Sequence, residues 1–414
     1  MQTFVPARLG TSYRWLLASS WSTNLADGIG LAAGPLLVAS LTRDPLLVSL
    51  AAALTWAPPL LFGLYAGVLS DRLDRRRIVL VANVCRVAVL VALSVTLLTG
   101  TVTVVIALAA IALLATAEVF ADNTSATLVP MLVHRDDLGV ANTRVQTGFL
   151  TLNLLGGPPI GAALFAMGAA WPFVAEVVLI GAGALLVTRV VLPPHGRAAL
   201  GRSAGSVRRE VAEGLRWTAA HPAVRTLALT IFAFNVTFGA AWSVLVLYAG
   251  DRLGLGAIGF GLLTTASALG GLLGTVCYGW ITRRVSLGNV LRVGLVIETL
   301  THLVLATTTS AWVAAATFFV FGMHEFVWGT TSVTIRQRAV PTELQGRVAG
   351  VYTLAVFGGL VVGSAAGGVL ATRFGITAPF WFAFAGSAVF LALLWSRLSR
   401  IAHEEAASPR VDTA

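Results

Sequence analysis

The 414-residue chain contains no lysine, only two cysteines, and little charge of either sign, with 11% of its residues charged. Without lysine there is no Gly-rich, Lys-bearing phosphate loop, so ATP hydrolysis at such a site is excluded. A lysine Schiff base is excluded with it. Cys85 and Cys277 sit in apolar runs without a CxxC spacing or nearby histidines. They are expected to be buried structural thiols rather than a disulfide or metal ligands. The shortage of charge decides the class. A soluble domain carries ~25% charged and roughly 45–50% apolar residues, whereas this chain is 57% apolar with a mean hydropathy of +0.85. A soluble core cannot hide that excess, so most of the surface must face lipid. Twelve spans of ~20 residues would use about 240 residues, which leaves loops and no large soluble catalytic domain.

What is present is a succession of apolar windows of membrane length. They fall near 14–41, 45–70, 78–99, 102–122, 138–166 and 171–192, then near 224–249, 255–281, 288–308, 311–333, 345–371 and 376–398. The first is a full-length window with no short cleavable apolar region, so it is expected to be a retained helix. All 28 basic residues are Arg. With both termini in the cytoplasm, 24 of them fall on the inner side. Only Arg43, Arg252 and Arg373 fall outside, and Arg86 stays within a span. This asymmetry satisfies the positive-inside rule for twelve spans with both ends inside. The +10 net charge is thereby attributed to membrane orientation, and no nucleic-acid partner is expected.

The resulting expectation is an all-α integral membrane protein with twelve transmembrane helices in two six-helix halves, 1–192 and 223–400. A cytoplasmic linker, 193–222, joins them, and a cytoplasmic tail, 401–414, follows. The second part of the linker reads as an amphipathic helix at the inner membrane surface. The halves echo each other. Val129-Pro130 recurs as Val340-Pro341, Gly157 and Gly161 as Gly363 and Gly367, and Trp171-Pro172-Phe173 as Ala378-Pro379-Phe380. A parallel six-span repeat is a transporter architecture whose substrate site is expected between the halves.

Two motifs sharpen this reading. Gly67-Val-Leu-Ser-Asp71-Arg72-Leu-Asp74-Arg75-Arg76 resembles the G-x-x-x-D-R-x-G-R-R loop of the major facilitator superfamily, with Asp74 where the family usually has Gly. Gly67 would allow close helix packing, and the guanidinium groups would bridge to acids on neighbouring helices. In span 5, Gly148 followed by Gly157-Pro158-Pro159-Ile160-Gly161 resembles the G-x8-G-P-x-x-G signature of drug:proton antiporters. Together with Ala117-Glu118 through Asp122, Leu128-Val129-Pro130 and Ala141-Asn142, these features are similar to the twelve-span antiporter group that holds macrolide and enterobactin exporters.

The resemblance implies a cytoplasmic latch made by Gly67, Asp71, Arg72, Arg75 and Arg76. In it Arg75 would reach Asp122 or Glu118 at the inner end of span 4, and Asp71 would approach the start of span 11. It also implies an antiporter helix built on Gly148, Gly157, Pro158 and Gly161. Spans 1, 4, 7 and 10 line the cavity in that superfamily, so Asp27 with Asn24, Glu325 with His324, and Asn235 become candidates for proton coupling or substrate contact. Each intramembrane charge needs a reason, since it costs at least ~2.5–3.5 kcal/mol at a helix centre. Glu298, His302, Glu176 and Arg86 are expected to make structural pairs or to snorkel. Aromatic residues such as Phe238 and Trp242 could line an apolar cavity or anchor span ends.

The implied function is proton-coupled export of amphipathic small molecules such as drugs or natural products by alternating access. A siderophore exporter and a lipid or lysolipid translocator without proton coupling are the alternatives. No enzyme activity, cofactor or metal is expected. The partners are a small-molecule substrate, protons and the bilayer. The protein is expected to be a monomer, multi-pass in the inner (plasma) membrane with both termini cytoplasmic.

Overall fold

The computed structural model describes residues 6–192 and 207–407. The first part of the expected linker (193–206), the end of the expected tail (408–414) and the side chain of Asp71 lie outside the described residues. The described chain is all-α. In order come α1 (Thr11–Leu41), α2 (Pro45–Arg72), α3 (Arg75–Leu98), α4 (Val104–Leu132), α5 (Leu138–Gly148), a π-helical segment (Phe149–Gly156), α6 (Gly157–Met167) and α7 (Trp171–Val187). They are followed by α8 (Val207–Ala220), α9 (Pro222–Trp242), α10 (Leu245–Asp251), α11 (Ala257–Arg284), α12 (Leu287–Thr307), α13 (Ala311–Ala339), α14 (Gln345–Phe374) and α15 (Ala378–Ala407).

Among the described residues, eleven helical stretches are long and apolar enough to cross a membrane. The expected sixth window is shorter than its eleven fellows. α7 has 17 residues, about 26 Å at ~1.5 Å per residue, because Thr188 and Arg189 close it in tight turns. Helix starts follow the sequence chemistry. Asp44 caps α2 ahead of Pro45, and Thr103, Ser286 and Ser310 cap α4, α12 and α13, each side chain accepting an otherwise unpaired N–H. Gly375, at φ 90°, stops α14 in a conformation that other residues adopt only with strain.

Two compact units emerge, Met1–Ala204 with Leu245–Thr265, and Gly205–Val244 with Ala266–Ala414. In the first, α1 packs on α7, α6, the π segment and α4, while α3 lies against α4 and α7. In the second, α9 packs on α14 and α15, and α12 on α15 and α13. The tightest contacts use glycine. A Cβ on Gly157 would lie 2.4 Å from the Gly28 Cα, and one on Gly161 would lie 2.3 Å from the Ile29 carbonyl oxygen. Backbone therefore meets backbone where α6 crosses α1. In the second unit, Gly363 and Gly367 meet the carbonyls of Val236 and Ala240 on α9 in the same manner. Buried tyrosines add a tie between α1 and α5 and one between α14 and α9. The Tyr13 hydroxyl donates to the Ala141 carbonyl over 2.8 Å, and the Tyr352 hydroxyl to that of Val224 over 3.0 Å.

Four local expectations change. The fourth span does not stop at residue 122, because α4 runs on to Leu132 through Asn123, Thr124 and Ser125. Asn123 and Thr127 return their side-chain donors to carbonyls of the helix itself, so polar residues do not end it. The seventh span is broken after Trp242. The Ser243 hydroxyl bonds back to the Ala240 carbonyl at 3.0 Å, an alternative to continued helix, and the unit boundary falls at this break. The cysteines are not core thiols: Cys85 is exposed and Cys277 half-buried, since helix faces turned toward lipid are as apolar as a core. Nor does Gly67 serve close packing, because among the described residues nothing lies within 4 Å of a Cβ placed there, α2 packing on α4 through other positions.

A candidate buried charge site and its superfamily

The loop after α2 is held locally. Asp74 adopts extended backbone (φ −61°, ψ 109°) and caps α3 by accepting from Arg77 N–H, so no left-handed glycine is needed there. Arg75 donates from Nε to the Ser70 carbonyl and from Nη1 to Met131 Sδ, both 2.9 Å. Arg76 donates to the Thr188 carbonyl at the end of α7, a favourable place for a cation. Arg72 is exposed.

Glu118 and Asp122 sit deeper than the latch reading required. Ten residues of α4 lie beyond Asp122, about 15 Å of helix. The guanidinium whose charge reaches both acids is Arg86 on α3. The structure thus groups these acids with Asp27 of α1, whose Oδ1 accepts directly from Arg86 Nη2. The two paired side chains are 8% and 4% exposed. Glu176 of α7 joins from another side, its carboxylate packed over Gly30 one turn along α1. One cation therefore serves four carboxyl groups on three helices. Arg86 does not snorkel. Its pairing with Asp27 was missed by sequence reasoning, although a lone intramembrane Arg in a unit holding several intramembrane acids is the signal that identifies it.

Beside this pair lies a polar cavity of about 30 Å³, room for a water molecule or two. Ser20 and Asn24 of α1, Asn83 and Arg86 of α3, and Asp122 and Ser125 of α4 line it. Asn24 does not reach Asp27. Its Nδ2 donates to the Ser20 carbonyl at 2.7 Å and the Ser20 hydroxyl at 3.2 Å, because the nearest acceptors lie one turn back on its own helix. Arg86 Nε and Nη1 and Asn83 Oδ1 have no hydrogen-bond partner among the described residues. Asp122, by contrast, is exposed.

Gly148, Gly157, Pro158 and Gly161 belong to this unit as packing residues. A Cβ on Gly148 would strike the Trp21 ring at 2.2 Å, and Trp21 Nε1 donates to the Arg144 carbonyl. Their glycines seat span 5 against α1 beside Asp27.

The second unit repeats the layout with different chemistry. Asn235 on α9 returns its Nδ2 to the Ile231 carbonyl at 2.7 Å, as Asn24 does on α1. Glu298 is the twelfth residue of α12, as Arg86 is of α3. Glu325 is the fifteenth of α13, as Glu118 is of α4. Glu298 faces His324 at 3.5 Å and His302 at 4.0 Å. His324 and Glu325 are neighbours in sequence but not in environment, for His324 is buried and Glu325 exposed. The rings of Phe238, Trp242, Phe318 and Phe321 stack on one another at centroid distances of 4.3–5.7 Å, so they fill the core beside His302. No cluster of three metal-ligating side chains occurs among the described residues.

No curated protein sequence matches the chain. Solved structures do. The nucleoside transporter NupG superposes with a TM-score of 0.74 at 10% identity, over 93% of this chain and 99% of that one. An inward-facing bacterial homologue of the iron transporter ferroportin gives 0.73 at 16%, over 94% and 98%. A bacterial homologue of the human lysosomal transporter Spinster gives 0.69 at 14%, over 97% and 100%. At such identities the likeness establishes the fold alone. Residues 1–412 match the family described as transmembrane secretion effector. The chain therefore belongs to the transmembrane secretion effector family of the major facilitator superfamily, a family of membrane transport proteins.

Proposed function

We propose that this transporter is a proton-coupled exporter of amphipathic small molecules such as drugs or natural products, working by alternating access, and not an enzyme. The observation that carries the reading is the ion pair of Asp27 and Arg86, enclosed among three further carboxyl groups. A desolvated acid with a removable counter-charge is a group whose ionisation changes when water or a cationic substrate arrives. Asp27 carries the proton in this scheme and Arg86 balances the ionised form. The antiporter signature in span 5 supports the same assignment, because its glycines bring that span against the helix bearing Asp27. In this reading the protein is a twelve-span monomer of the inner membrane, and the Arg asymmetry supports the cytoplasmic position of both termini. The segment from Gly67 to Arg76 serves as the cytoplasmic latch.

The test is uptake into proteoliposomes with an imposed pH gradient, using a panel of cationic drugs, a siderophore and a lysolipid. Drug transport that collapses with the gradient in the wild type and is lost in Asp27→Asn is the expected result. Gradient-independent movement of the lysolipid alone would replace this reading with that of a lipid translocator, and siderophore-restricted transport with that of a siderophore exporter. Retained pumping by Asp27→Asn with an unchanged pH profile would move the coupling role to Glu325.

A further inference from the structure

The proton-coupled reading leaves open how a proton reaches a carboxylate as enclosed as Asp27. Three observations on α3 and α4 answer this. Arg86 uses only Nη2 on Asp27 and keeps Nε and Nη1 without a hydrogen-bond partner. Asn83, one turn away on α3, is 2% exposed, and its Oδ1 is likewise unpartnered. Both side chains line the same polar cavity, and the acid that lines it from α4 is Asp122. Unpaired buried donors and acceptors are rare because each forfeits its hydration without recompense. Three such atoms, on two side chains around a space that fits a water molecule or two, point to water as the missing partner. A metal cation would have to sit against the guanidinium, and an anion among four carboxyl groups, so neither fits this wall.

We infer that Asp122 is a second proton-binding residue, reached through water in this cavity, and that Arg86 is shared between Asp122 and Asp27. The proton passes from a cavity water to a carboxylate oxygen of Asp122, and no other bond is made or broken. With Asp122 neutral, Arg86 commits to ionised Asp27. With Asp122 ionised, the two carboxylates compete for one guanidinium, and Asp27 is released to accept a proton or a cationic group. The contrast in exposure fits this order of events: Asp122 is exposed, whereas the side chains of Asp27 and Arg86 are enclosed. The charged groups whose field reaches Asp122 are Asp27 of α1, Arg86 of α3 and Glu118 of its own helix. Glu176 of α7 feels Asp27, Arg86 and Glu118. α2 also packs on α4, and among the described residues no charged side chain of α2 lines the cavity. Asp122 acts on Asp27 through Arg86 and is therefore a positioning residue for it as well as a proton site.

The inference rests on the proton-coupled reading for its purpose but can be tested apart from it. The full chain in lipid nanodiscs is titrated while the infrared carboxyl C=O stretch is recorded, which needs no transport substrate. One titrating band is expected to vanish in Asp122→Asn and to persist in Asp122→Glu. It should shift along the pH axis in Asn83→Leu, which removes the water acceptor without touching an acid. An Arg86→Gln variant should move the same titration as well, since the guanidinium that lines the cavity with Asp122 is gone. Should Asp122→Asn misfold, the Asp122→Glu and Asn83→Leu shifts still decide. A full set of bands in Asp122→Asn, or the same midpoint in wild type and Asn83→Leu, would overturn the assignment. If the band behaves as expected while no gradient drives transport, the proton site stands and the exporter reading falls.

Discussion

Replacing Gly157 by alanine tests the central packing claim most directly. The added Cβ would lie 2.4 Å from the Gly28 Cα, 2.5 Å from the Gly28 carbonyl carbon and 2.8 Å from the Leu152 carbonyl oxygen. All three are backbone atoms, so no side chain can swing aside. Carbon atoms pack at ~3.5–4.0 Å, and α1 and α6 would therefore have to separate by about 1 Å. Overpacking of this kind costs ~1–3 kcal/mol. The helix-propensity gain of Ala over Gly, roughly 0.5–1 kcal/mol, offsets only part of it. The net expectation is a loss of about 1–2 kcal/mol. Gly181→Ala in α7 and Gly63→Ala in α2 are matched controls, since nothing among the described residues lies within 4 Å of a Cβ at either position. They should be neutral or slightly stabilising. Thermal unfolding of the purified proteins in one detergent, followed by circular dichroism, gives the ranking. Gly157→Ala should melt below wild type and both controls below neither. Because Gly28 adjoins Asp27, the variant should also lose gradient-driven transport. Should Gly157→Ala melt level with Gly181→Ala, the backbone-on-backbone crossing is wrong.

Four further outcomes are expected. Arg86→Met strands Asp27 without its partner and should lower stability by ~3–5 kcal/mol, whereas adding Asp27→Leu should restore much of it without restoring transport; denaturant-dependent unfolding of both variants checks this, and equal instability would show that the pair is not the cause. Gly214→Val places side-chain bulk where a Cβ already meets the Arg347 carbonyl oxygen at 2.7 Å. It should detach α8 from α14, read as faster proteolysis near α8, and an unchanged cleavage rate would refute the docking despite the 2.9 Å Glu213–Arg347 bridge. Arg75→Ala removes the donors to Ser70 and Met131 and should reduce export at near-normal expression; wild-type export would dismiss the latch. Reporters fused at residue 1, within 193–222 and at residue 414 should all read cytoplasmic, and an external signal from the middle one would sink the twelve-span topology.

Much of this molecule was legible in its sequence, for a physical reason. A lipid solvent demands long apolar helices, so composition alone identified the class and hydropathy located the windows. The glycines of span 5 and the paired Gly363 and Gly367 were visible because only glycine permits such close helix approach, and chain position reveals a repeat. Chemistry was less visible. Hydropathy cannot tell a helix end from a polar stretch within a helix, so Asp122 was placed at the rim when α4 carries it inside. Nor can it tell a lipid-facing cysteine from a core one. Asp27 stood out as a lone acid in span 1, and Glu298 with His302 as an i,i+4 pair. That Asp27 meets Arg86, that Glu298 turns to His324, and that Asn24 bonds back to Ser20 are facts of rotation and side-chain reach. The sequence by itself determined an all-α integral membrane protein with isolated charges inside its spans. Which charges share a site was decided only by tertiary structure, because α1, α3, α4 and α7 meet through packing geometry that no single helix encodes.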